Sequence, residues 1–96
     1  MVLWEVLRLR KSEDLFLDFW VVRVREFRAK MSLSQEILAE KLHVNVRNYQ
    51  KLERGVHRPS AITLLLFLNL LPDQEILAFV RAFGKLAKAG QSEEVA

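Results

Sequence analysis

The stretch Ser34–Gly55, SQEILAEKLHVNVRNYQKLERG, decides the fold. It reads as two short amphipathic helices joined by a tight turn. Ser34 is a good N-cap, because its hydroxyl can accept a hydrogen bond from an orphan N–H of the first turn, and Glu36 there suits the helix dipole. Ile37, Leu38, Ala39 and Leu42 supply an apolar face at helical spacing. His43-Val44-Asn45 breaks the helix, and Asn45 can cap a second one over Val46–Arg54 with Tyr49 and Leu52 inward. Gly55 ends it, since glycine enters the left-handed region without a Cβ penalty. Val46, Arg47, Asn48, Gln50, Lys51 and Arg54 are left off the core, a set rich in hydrogen-bond donors.

This pattern resembles the helix-turn-helix of the Cro/lambda-repressor-type (XRE) family of DNA-binding regulators. The matching residues are Ser34-Gln35, Leu38-Ala39, Leu42, Val44, Leu52-Glu53 and Gly55, with Val24-Arg25-x-Phe27-Arg28 upstream and Arg58-Pro59-Ser60 downstream in register. The match covers roughly residues 22 to 72. Two positions depart from it: His43 and Ser32 stand where the family often has glycine. Histidine is one of the few residues enriched in left-handed conformations, so the turn can keep its shape.

The resemblance implies an all-α, five-helix, lambda-repressor-like DNA-binding domain with an N-terminal extension. Val46–Arg54 would lie in the major groove while Ser34–Leu42 crosses the backbone. By motif position Val46, Arg47, Gln50 and Lys51 are the base-edge candidates: Arg can pair with guanine, Gln with adenine, and Val with a thymine methyl. Gln35, Asn48, Arg54 and Arg58 are the phosphate candidates. Arg28 and Glu53 occupy positions that commonly form an ion pair tying the first helix to the end of the recognition helix. Within the family, VNVRNYQKLERG followed by HRPS and a leucine-rich helix is most similar to HigA-type antitoxins, which would imply autorepression and a toxin partner. A phage- or plasmid-type repressor without a toxin, and a protein-interaction module on the same scaffold, are the alternatives. Arg47, Lys51 and Arg54 on the recognition face count against the module.

Upstream, Met1–Lys11 forms an apolar arm with Val2, Leu3, Trp4, Val6, Leu7 and Leu9, and its periodicity leaves strand and helix open. Ser12 reads as an N-cap, with Glu13 and Asp14 in the first turn of a helix running to about Met31. Phe16, Trp20, Val24, Phe27 and Met31 recur at three- and four-residue spacing and should face the core. Leu15, Phe19 and Val22 form a second apolar stripe, covered either by the arm or by a partner.

Downstream, Ser60 caps a helix over about Ala61–Leu71 that is apolar on nearly every side, so it is central or part of a subunit interface. Pro72 stops it. Asp73 to about Ala89 reads as a fifth helix with Ile76, Phe79, Val80, Phe83, Leu86 and Ala87 as its stripe. Gly90 should close it, and Gln91–Ala96 should be a disordered acidic tail. The apolar excess on the first and fourth helices, and the arm, point to a two-fold dimer on a palindromic operator. Leu66, Phe67 and the surroundings of Trp4 are the candidate contacts.

Composition sets the remaining bounds. The 96 residues suit one domain, read here as the arm 1–11, a folded unit 12–90 and the tail 91–96. Cysteine is absent, so there is no disulfide framework and no thiolate metal site. The net charge is only +3, but residues 23 to 58 carry nine Lys/Arg against four acids, and residues 12 to 18 hold three acids and no base. A local basic excess on a recognition element is the electrostatic footprint of nucleic-acid binding. No run is long enough to cross a bilayer: Ile62–Leu71 is about half of the roughly 20 residues required. No signal-peptide pattern is visible, and a cytoplasmic, nucleoid-associated protein is expected. The histidines, His43 and His57, lack neighbouring ligands at metal spacing, and the glycines at 55, 84 and 90 build no phosphate loop. An enzyme, a cofactor and a metal are therefore not expected.

Overall fold

Three side-chain caps set the starts of the central helices. In the computed structural model, which describes residues 3–95 and the side chains of residues 3 and 11–89, five helices follow one another and no strand occurs among the described residues. They are α1 (Leu3–Lys30), α2 (Gln35–Lys41), α3 (Val46–Glu53), α4 (Ala61–Asn69) and α5 (Asp73–Val95). Ser34 Oγ accepts from the Ile37 N–H at 3.1 Å, Asn45 Oδ1 from Asn48 at 2.8 Å and Ser60 Oγ from Thr63 at 3.1 Å. Each cap satisfies a donor that the helix itself leaves unpaired and contributes about 1 kcal/mol.

The turns have the handedness the departures from glycine put in question. Ser32 and His43 adopt φ values of 53° and 58°, and Gly55 one of 76°. At Gly55 there is also little room, since a Cβ would come 3.3 Å from Val21 Cγ2 on α1.

Two boundaries differ from the sequence expectation. Ser12 does not start a helix; it lies inside α1, which begins at Leu3. Neither Gly nor Pro occurs between Leu3 and Lys30, so no strong helix breaker lies within that span. Carrying it through one serine costs a few tenths of a kcal/mol, less than a new nucleus would. The arm is thus helical from Leu3; Met1, Val2 and the side chains of Trp4 to Arg10 lie outside the described residues. Gly90 likewise lies inside α5, which reaches Val95 in place of the tail expected from residue 91, with Ala96 outside the described residues. A single helical glycine costs only about 1 kcal/mol relative to alanine, which the flanking helix formers can absorb. The shorter end of α4 is a smaller adjustment: Leu70 caps it, and the Pro72 carbonyl accepts from Glu75 and Ile76 to open α5.

The core joins all five helices. Trp20 and Val24 of α1, Leu38, Ala39 and Leu42, Tyr49 of α3, Phe67 of α4 and Phe79 of α5 are buried in one cluster. Edge-on ring pairs knit it: Trp20–Phe67 at 5.1 Å, Phe27–Phe67 at 5.4 Å and Phe19–Phe79 at 5.0 Å between centroids. Such pairs add about 0.5–1.5 kcal/mol beyond the area they bury. The second stripe of α1 is thereby divided: Phe19 is buried against α5, while Val22 stays exposed. Met31, expected in the core, is 53% exposed because α1 has already ended at Lys30. Phe67, offered above as a subunit contact, is 1% exposed and belongs to this core instead. The uncovered apolar side chains of α4 are Ile62 and Leu65. No helix among the described residues is long and apolar enough to cross a membrane.

Candidate nucleic-acid interface

The recognition element is held from behind by a buried carboxylate. Glu53 sits at the last turn of α3 and is 3% exposed. Its Oε1 accepts from Arg28 Nε, with Arg28 Nη2 also 2.9 Å away, and its Oε2 accepts from Gln35 Nε2 at 2.6 Å. Arg25 Nε donates to the Glu53 backbone carbonyl at 3.1 Å, and Arg28 Nη1 donates to Leu33 O at 3.2 Å. One acid thus fixes α1, the start of α2 and the end of α3 together. The hydrogen bond to Glu53 holds the Arg28 guanidinium above its ordinary range. Beside it, burial pushes the Tyr49 phenol up to about 12, with the Glu53 charge adding to the effect. The Tyr49 hydroxyl is buried without a hydrogen-bond partner in good geometry among the described residues.

The chain of contacts continues outward to the exposed face of α3. Gln50 Nε2 donates to Gln35 Oε1 at 3.1 Å. A primary amide carries two N–H groups and a carbonyl oxygen. Gln50 therefore keeps one N–H and its oxygen, the pair that an adenine edge requires. Gln35, a phosphate candidate by sequence, has one N–H committed to Glu53 and its oxygen to Gln50, which leaves a single N–H to point elsewhere. Its two hydrogen bonds link Gln50 to Glu53.

The other predicted residues divide by surroundings. Arg47, Asn48 and Arg54 are exposed and Lys51 is half-buried. The side chains of Arg47, Lys51 and Arg54 make no hydrogen bond or ion pair among the described residues, so their donors are open to solvent. Val46 departs from its expected place off the core: it is half-buried and packs against the central cluster, because it lies three residues before the buried Tyr49 and so shares its side of α3. Arg58 is also not a bare surface cation, since its Nη1 pairs with Glu13 Oε2 at 2.7 Å.

Sequence reasoning missed two participants. Arg25 was visible only as part of the upstream match, although its position three residues before Arg28 puts both on one face of α1. Glu13 carried no signal beyond that of an acid in a first helical turn. Among the described residues no group of three or more His, Cys, Asp or Glu could hold a metal ion.

A helix-turn-helix family model matches residues 24–72 of this chain, the span from Val24 on α1 to Pro72 before α5. No curated protein and no solved structure matches it significantly.

Proposed function

Because the chain belongs to the Cro/C1-type helix-turn-helix (XRE) family of DNA-binding transcription regulators, we infer that it is a sequence-specific, cytoplasmic repressor acting as a homodimer on a palindromic operator. The observation that carries this reading is the Glu53–Gln35–Gln50 chain, which holds one amide at the outer face of α3 with its remaining donor and acceptor unspent. Arg47 and Lys51 flank it as further base-edge ligands. Asn48 and Arg54, with the last N–H of Gln35 and the Arg58 guanidinium, serve the backbone. Val46, from its half-buried position, contributes at most a methyl contact.

One recognition helix spans only a few base pairs, so two copies about one helical turn apart supply the specificity. The exposed apolar side chains Ile62 and Leu65 of α4, and Leu77 and Val80 of α5, are uncovered surface that supports a subunit contact. The HigA-type resemblance adds a toxin partner to this proposal, to be sought by co-purification. The experiment for the function itself is sequencing of DNA fragments selected by the purified protein. An enriched two-fold motif is expected. Enrichment of nothing, with no retention of duplex at low salt, would move the chain to the interaction-module reading.

A further inference from the structure

The family match begins at residue 24, yet α1 starts at Leu3. The added turns carry the acidic segment Glu13, Asp14 and Asp18. The loop after the recognition helix is pressed against these turns. Gly55 approaches Val21 and Leu17 closely, and Arg58 pairs with Glu13 across a recess of about 460 Å³ lined also by Asp14, Leu17, Val56 and His57. The Asp14 side chain, which lines the same recess, makes no hydrogen bond or ion pair among the described residues. The Arg58 and Glu13 side chains are 54% and 55% exposed, which makes their ion pair weak and exchangeable.

We propose that Glu13 is an intramolecular competitor for the DNA backbone, its carboxylate holding the Arg58 guanidinium until a phosphate displaces it. The proposal rests on the DNA-binding reading and on Arg58 as a backbone ligand. A carboxylate and a phosphate oxygen are interchangeable partners for a guanidinium fork, with the duplex offering the denser charge. Glu13 therefore lowers affinity for every sequence alike and leaves base preference untouched. It is a positioning residue that acts through Arg58.

The test is a cycle of Glu13→Gln, Arg58→Ala and the double variant in the full chain. Binding to a mixed-sequence duplex is measured at several salt concentrations. Both side chains are exposed, and far-UV circular dichroism confirms that each variant keeps its helices. Glu13→Gln should tighten binding about two- to fivefold, the range an exposed ion pair can hold back, and steepen the salt dependence by up to about one ion. In the Arg58→Ala background the same substitution should change little. A gain of equal size in both backgrounds would overturn the proposal, because Glu13 would then repel DNA directly. So would weaker binding by Glu13→Gln, or an Arg58→Ala variant indistinguishable from wild type. Wild-type protein that binds no duplex at any salt would instead remove the DNA-binding reading itself.

Discussion

Arg28 and Glu53 are unequal partners, and the inequality has a measurable consequence. The Glu53 side chain is 4% exposed and that of Arg28 is 31% exposed. Arg28→Met strips the buried carboxylate of its cation and leaves Gln35 as its one side-chain donor. Breaking a buried pair in this way costs about 3–5 kcal/mol, and the partial exposure of the site places the expected loss at about 3–4. Glu53→Gln is milder. One carboxylate oxygen becomes an NH₂ group facing either Arg28 or Gln35, both donors, but the guanidinium can turn toward water and still bond to Leu33 O. The loss should be about 2 kcal/mol. For a domain of this size, about 4–8 °C per kcal/mol converts these figures to shifts of about 10–15 °C for Glu53→Gln and about 20 °C for Arg28→Met. Urea unfolding followed by circular dichroism measures both, and the double variant gives their coupling. If both single variants lie within 0.5 kcal/mol of wild type (roughly the scatter of surface substitutions), Glu53 does not organise the site. If Glu53→Gln loses more than Arg28→Met, the assignment of the buried partner is wrong.

Further outcomes follow from individual residues. His43→Gly should be near neutral, because relief of about 1 kcal/mol of left-handed strain is offset by the larger unfolded-state entropy of glycine; His43→Val should destabilise clearly, and equal melting temperatures for the two would contradict the φ of 58° at this turn. The Tyr49 phenol titrates near 10 when unfolded and at about 12 when folded, so the unfolded state releases its proton first. Stability should hold below pH 10 and fall by about 2–3 kcal/mol between pH 10 and 12. Tyr49→Phe should abolish that fall and, by removing an unpartnered buried hydroxyl, match or exceed wild-type stability at neutral pH; an unchanged alkaline transition would contradict it. Gln35→Ala should relax base preference as Gln50→Ala does, because it frees the same amide, and selection of DNA fragments by each variant compares them. Sedimentation should show a dimer at tens of micromolar, and a monomer both free and on DNA would contradict the two-fold reading.

Much of the arrangement was legible because it is local. The caps at Ser34, Asn45 and Ser60 and the turn at His43 depend on a few consecutive residues, and those residues carry the signal. The ends of the long helices were not legible. Ser12 and Gly90 look like punctuation, but each is a single weak interruption within a run of helix formers, and continuation prevails. Met31 and Phe67 were misplaced for a different reason: helical spacing names the apolar residues but not which of them a neighbouring helix reaches. The interface shows the same division. The donor-rich face of α3 can be read from the sequence, whereas the bonds from Gln35 to Glu53 and from Gln50 to Gln35 join residues 18 and 15 positions apart. No local pattern announces them. The Arg58–Glu13 pair, 45 positions apart by number, is hidden for the same reason.

The central claim is that the outer face of α3 reads base edges, with Gln50 held ready by Gln35. It is tested most directly by binding of wild type, Arg47→Ala and Gln50→Ala to the selected operator and to a scrambled duplex, across several salt concentrations. Each alanine should cost about 1–3 kcal/mol on the operator and relax preference at one or two base pairs, while affinity for the scrambled duplex changes far less. Equal losses on both duplexes for both variants would contradict base reading by α3.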